Sequence, residues 1–429
     1  MKITISGGRV VDPVTQRDEV VDVFIDGDTI VGLGRTPAGF KPARVIDARG
    51  CIVTPGFTEV GARLREPGQE HKATIASELE AAAAAGFTTV CCMPDTQPVI
   101  DTPAVVELVN QRARGVRGAR VRCLGALTRD LGGAVLAEMA ALKDIGCVGV
   151  ANAGRAIRDS NVLKNALAYA ATLDLTVFLD AEDPWLGAQG CMHEGAVGTR
   201  LGLPGIPAAA ELVGLARDLV LIEHSGARAH FRTLSAGRSI KYLNDARKAG
   251  LDVTASVGIA HLALCDEDLA RFDAAFHVRP PLRSRRDRTR LLRGLAEGQV
   301  EILTSHHEPH DADAKAGPFG ATAPGISGLD SFLPSMLALV EAGTLDLMRA
   351  IDAAAVQPAR VIGSPVASLR AEAVADICIF DPAADWTLDA EHILSRGQNT
   401  PFLGRRMRGR VTATLVGGRV VFERKPAHG

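Results

Sequence analysis

Eight apolar, β-rich runs alternate with alanine- and leucine-rich stretches along the middle of the chain. They are Ile52–Val60, Phe87–Met93, Val121–Leu127, Val148–Asn152, Thr176–Glu182, Leu219–Ser225, Asp252–Gly258 and Val300–His306. Between them lie helical patterns such as Ala73–Ala85 closed by Gly86, Gly133–Leu142, and Arg285–Ala296 closed by Glu297-Gly298. Strands that are apolar throughout are buried on both faces, which implies a parallel sheet covered by helices. Eight such units between residues 55 and 363 predict an α/β fold of the (β/α)8, or TIM-barrel, kind. The competing doubly wound sheet would carry a G-x-G-x-x-G after its first strand, and none is present.

The two ends of the chain resemble each other rather than the middle. Residues 1–54 hold short β runs around an Asp26-Gly27 turn, a strong hairpin signal. Residues 364–429 hold Ala375–Phe380, then Thr412–Val416, a Gly417-Gly418 turn and Arg419–Phe422. Neither end is enough sheet to bury a core alone. Together they predict one small β-sandwich domain, the alternative being two independent edge hairpins.

Composition excludes several functions. The chain has 48 Lys and Arg against 50 Asp and Glu, and only 4% aromatics, so it lacks the footprint of a nucleic-acid binder. It has no run of apolar residues long enough to span a membrane. Its eight cysteines contain no CxxC and sit in apolar segments, as expected of buried thiols in a reducing compartment. A soluble, cytoplasmic protein is expected.

Chemistry in a barrel belongs to the C-terminal ends of the strands. Those ends read Glu59-Val60-Gly61-Ala62-Arg63, Asp95, Asn152, Asp180-Ala181-Glu182-Asp183, His224-Ser225, Ala260-His261 and Ser305-His306-His307-Glu308-Pro309-His310. Here the sequence resembles the dihydroorotases, amidohydrolases of pyrimidine synthesis. Pro55-Gly56-Phe57, Leu64-Arg65-Glu66-Pro67-Gly68 and Met93-Pro94-Asp95-Thr96 carry the likeness in its first half. Arg279-Pro280-Pro281-Leu282-Arg283, Pro309-His310, Pro324–Leu329 and Gln357-Pro358-Ala359-Arg360 carry it in the second, in family order.

The departures fall on the positions that the resemblance assigns to chemistry. The family's first strand ends in H-x-H, two imidazoles for a divalent metal; here those positions are Gly61 and Arg63. The strand-four ligand falls on Asn152, the strand-five histidine on Asp180, and the strand-eight aspartate on His306, while the strand-six histidine is kept as His224. Of the substrate-reading positions, Arg65 and His310 match the family, whereas Asp95 and Arg279 each replace an asparagine.

A catalytic zinc needs three converging ligands and an open position. Gly61 supplies none, and Arg63 never deprotonates. Without a metal, a ring-opening water keeps a pKa near 15.7 instead of about 7. The expected protein is a non-catalytic dihydroorotase-like chain with no catalytic residues and no bound metal. The resemblance implies a role in the assembly or stability of aspartate transcarbamoylase, alongside that enzyme's catalytic chains. It also implies a homo-oligomer, a dimer, within that larger assembly. The alternatives are an active zinc amidohydrolase whose metal is shared by Asp180, His224 and His306, and a ligand-sensing subunit. Arg63 is expected to fill the emptied site by pairing with Asp180 or Glu59.

Overall fold

The computed structural model describes residues 1–269 and 272–424. Eight parallel barrel strands run Phe57–Ala62, Phe87–Cys92, Arg120–Cys123 continued by Gly125–Ala126, Val150–Ala151, Val177–Asp180, Ala229–Arg232, Val253–Gly258 and Ile302–Thr304. Hydrogen-bonded neighbours follow chain order from the first strand to the eighth. The seam between eighth and first is held chiefly by Glu59. Its buried carboxylate accepts from Ser305 N at 2.7 Å, Ser305 Oγ at 2.5 Å and the Thr304 hydroxyl. Above it, Arg63 N donates to His307 O at 3.0 Å.

One expected strand is a helix. Leu219–Ser225 forms the last two turns of Ala208–Ser225, which Gly226 ends at φ 68°. Leu212, Leu215, Leu219 and Ile222 recur at spacings of three and four, the helical period, and all are buried. The sixth strand is instead Ala229–Arg232, fully buried and in parallel register with Val177–Asp180. The Ile52–Val60 run also divides. Ile52–Pro55 joins the terminal sheet and Phe57–Ala62 opens the barrel, with Gly56 between them. A Cβ on Gly56 would fall 2.1 Å from Thr88 Cγ2, so only glycine permits this close passage.

The helices flank the barrel where the periodicity put two of the three. Ile75–Ala84 begins with a Thr74–Ser77 capping box, and Arg285–Ala296 begins at Ser284, whose hydroxyl accepts from Asp287 N. The Gly133–Leu142 pattern gives only a short helix, Met139–Asp144.

The termini build two sheets face to face. The four-stranded one is ordered Thr29–Leu33, Val23–Asp26, Lys2–Ser6, Arg44–Asp47. The six-stranded one is ordered Arg419–Glu423, Arg406–Val416, Ile377–Thr387, Ile52–Pro55, Arg9–Asp12, Arg17–Val20. Both glycine turns close hairpins as expected. Ile3, Ile5, Val10, Val53, Ile379 and Leu415 fill the space between the sheets with no exposure.

The segment between Thr387 and Arg406 leaves this sandwich and returns to the barrel mouth. Asn399 Nδ2 donates to Glu308 O at 3.0 Å and Gly325 O at 3.1 Å, and its Oδ1 accepts from His310 N at 2.8 Å. Ser395 Oγ donates to the buried Glu78 carboxylate at 2.7 Å, which also faces His307 Nε2 at 2.6 Å. The C-terminal part therefore braces the loop that carries the eighth strand's polar residues. All eight cysteines are free thiols, and burial pushes Cys123 up to about 12.

Candidate functional site

Arg63 follows the first strand and points into the barrel mouth. Its guanidinium is used on three sides, donating to Asp95 Oδ2 at 2.7 Å, Glu308 Oε2 at 2.9 Å and Ala153 O at 3.2 Å. Burial alone would favour the neutral form, but the charges of Glu308 and Asp95 outweigh it and raise the guanidinium's pKa. Arg63 is thus a permanent cation with its own counter-ions.

The expected Arg63–Asp180 pair does not form. Asp180 instead takes Arg232 Nη1 at 3.2 Å and Gly154 N at 2.8 Å. The cause is strand register: Asp180 and Arg232 are partners on adjacent strands, so their side chains leave the sheet side by side. Glu59 is equally unavailable, because its carboxylate is taken by Thr304 and Ser305.

Arg232 also explains Gly61. A Cβ on Gly61 would lie 3.1 Å from Arg232 Nε and 3.4 Å from Arg232 Nη2, with Met93 Sδ at 3.1 Å. The guanidinium packs where a side chain from Gly61 would start. Two arginines therefore stand at the ends of the strands from which metal-binding imidazoles were expected.

The remaining candidates have structural partners or lie elsewhere. His224 is exposed, in the last turn of the helix outside the barrel, and takes no part in the site. Asn152 accepts from Thr128 Oγ1 at 2.8 Å and donates to Arg155 O at 2.7 Å. Arg279 is held by Glu182, with Nε 3.1 Å from Oε2, and by Gly187 O at 3.1 Å. Arg65, at φ 65°, donates to Pro309 O at 2.9 Å and Glu308 Oε1 at 3.3 Å, and its Nη2 lies 3.0 Å from His310 Nε2. Arg65 and His310 are thus spent on each other and on the Glu308 loop.

His306 is buried at φ 52° with no hydrogen-bond partner for Nδ1. Its ring centroid lies 5.7 Å from that of His261. Burial drives His306 well below the usual imidazole range, helped by His261 and despite Glu308; burial also takes His261 to about 4. Burial thus favours the neutral form of both rings.

The cavity at the mouth measures about 290 Å³ and is lined by Arg63, Asn152, Asp180, Arg232, His306 and Glu308, among others. Asp180 and His306 line it from the expected metal set, and Asp180 already holds Arg232. Among the described residues, no group of three His, Cys, Asp or Glu is placed to hold a metal ion. This donor set does not fit a catalytic zinc, which needs three protein ligands and a water. Sequence reasoning missed Arg232 and Glu308. Arg232 was legible only once strand six was placed, and Glu308 sits in a loop whose direction no periodicity reveals.

A dihydroorotase-like protein of Pseudomonas putida is 45% identical over 420 residues, covering 98% of this chain and 99% of the relative. The chain belongs to the dihydroorotase-like family. A second dihydroorotase-like protein, from Pseudomonas aeruginosa, is 45% identical across 99% of this family member and 100% of its own length. A dihydroorotase of Anaeromyxobacter dehalogenans is 43% identical over 98% of the chain and 97% of that protein. The family profile described as dihydro-orotase-like matches residues 50–239. Among solved structures, an L-hydantoinase of Arthrobacter aurescens superposes with a TM-score of 0.88 at 23% identity, covering 98% of this chain and 96% of that one. That likeness establishes the fold alone: a barrel of the amidohydrolase kind with a β domain from both termini. No helix among the described residues is long and apolar enough to cross a membrane.

Proposed function

We propose that this dihydroorotase-like protein is non-catalytic, binds no zinc, and serves pyrimidine biosynthesis as an assembly or stability partner of aspartate transcarbamoylase. The observation that carries this reading is the pair of guanidiniums at the barrel mouth. Arg63 is locked between Asp95 and Glu308, and Arg232 packs against Gly61 while bound to Asp180. Arg63 never deprotonates to serve as a ligand, and the carboxylates beside it, Asp95 and Glu308, are already bound to its guanidinium. Arg65, the position that would grip a substrate carboxylate, is likewise spent on Pro309 O and Glu308.

The scaffold around this site is fully specified. The barrel core, the seam at Glu59 and the brace from Asn399 are all in place. A shape kept while its chemistry is replaced supports a role that depends on shape. The partner itself comes from the family resemblance.

Co-expression with aspartate transcarbamoylase chains tests the role. The two proteins should elute together in a complex larger than either alone, and the transcarbamoylase should lose activity or stability when this chain is omitted. A transcarbamoylase that assembles and turns over equally well without it would overturn the reading.

A further inference from the structure

Barrel and terminal sandwich meet along a groove of about 840 Å³ that shares no lining residue with the cavity at the barrel mouth. Its floor is apolar, with Leu262, Leu292, Leu337, Val340, Leu347 and Met407 contributing. Its rim is basic: among the described residues, Arg9, Arg288, Arg405, Arg406 and Arg408 line it against a single carboxylate, Glu341. In a chain with formal net charge −2, five arginines to one acid is a local concentration, not a general property.

The rim is only partly neutralised from within. Arg9 pairs with Asp18 at 2.7 Å, and Arg408 pairs with Glu341. Arg405 stands over the Phe402 ring at 5.2 Å. Arg288 reaches only Ala263 O, at 3.5 Å, and Arg406 is exposed with no carboxylate partner among the described residues. The field extends past the groove, because Arg288 and Leu292 lie on the helix Arg285–Ala296. From that helix Arg286, Arg290 and Arg293 line a second groove opposite Lys241 and Lys248.

An apolar floor with a cationic rim selects its occupant on two counts. The floor favours a segment with apolar side chains on one face, and the rim favours carboxylates on the flanks and repels cations. We propose that this groove receives an acidic, amphipathic helical segment of a protein partner. The proposal rests on the assembly reading above and supplies its docking surface.

The first arm of the test uses the full-length protein and a labelled 16-residue peptide with Leu at i, i+3, i+4 and i+7 and Glu elsewhere. Its counterpart has Lys in place of Glu. By fluorescence anisotropy the Glu peptide should bind at least tenfold more tightly than the Lys peptide, and more weakly as salt rises. The double variant Arg288→Glu/Arg406→Glu should lose at least tenfold in affinity for the Glu peptide at an unchanged melting temperature. Arg288→Gln/Arg406→Gln serves if charge reversal impairs folding. Equal binding of both peptides, or variants that bind the Glu peptide as wild type does, would overturn the groove.

The second arm repeats co-purification with aspartate transcarbamoylase. If wild type and variant both form the complex, the groove proposal fails and the assembly reading stands. If wild type forms none while the peptides are still discriminated, that partner is wrong and the groove stands.

Discussion

Glu308→Ala should destabilise the folded protein by about 3–5 kcal/mol, the usual cost of removing one partner from a buried ion pair. Glu308 is the shared anion of the emptied site. It takes Arg63 at 2.9 Å and Arg65 at 3.3 Å, so its loss strands two buried guanidiniums at once. Asp95→Ala should cost less, because Arg63 keeps Glu308 and Ala153 O. Urea midpoints of the two variants give the comparison, and equal midpoints would contradict it.

The same residue sets an acid limit. Burial pushes the Glu308 carboxyl up, but Arg63, the nearby His310 and Arg65 outweigh it and hold it well below the usual range. A carboxylate depressed in the folded state contributes stability that is complete above its unfolded value, about 4.3, and lost as pH falls toward the folded value. The gap in stability between wild type and Glu308→Gln should therefore be widest near neutral pH and shrink below about pH 4.

Placing histidines at positions 61 and 63 should not produce dihydroorotate hydrolysis. In Gly61→His/Arg63→His, the new Cβ at position 61 arrives 3.1 Å from Arg232 Nε and Met93 Sδ. An imidazole there must expel Arg232, which breaks the pair with Asp180. Removing Arg63 leaves Asp95 and Glu308 to share Arg65, at 4.0 Å and 3.3 Å, as their remaining cation. Overpacking costs about 1–3 kcal/mol, and the broken buried pair about 3–5 more. Strand four still offers Asn152, engaged with Thr128 and Arg155, and strand eight still offers His306 rather than a carboxylate. The variant should be several kcal/mol less stable and show no dihydroorotate hydrolysis. Turnover by this double variant would mean that Arg232 yields its place and that two imidazoles suffice.

The barrel and the composite β domain were legible because their signals are long-range and periodic. Arg285–Ala296 was bounded correctly because Glu297-Gly298 marks its end in the sequence itself. The sixth strand was not legible. Ala229-His230-Phe231-Arg232 is four residues long, and two of its side chains are polar because they serve the barrel interior and mouth. The neighbouring apolar helix offered a stronger run and took the assignment, carrying His224 out of the site. That single displacement also hid Arg232, and with it the true partner of Asp180. An arginine at position 63 announced that counter-ions must be near, but its choice of Asp95 and Glu308 depends on side-chain reach across loops.

The central claim is that guanidiniums have replaced the metal chemistry of this barrel, and the wild-type protein tests it most directly. It is purified in zinc-replete buffer, dialysed, and assayed together for bound zinc and for ring opening of dihydroorotate. The account predicts zinc far below one per chain and no turnover above the uncatalysed rate. Close to one zinc per chain, retained through dialysis and accompanied by dihydroorotate hydrolysis, would contradict it.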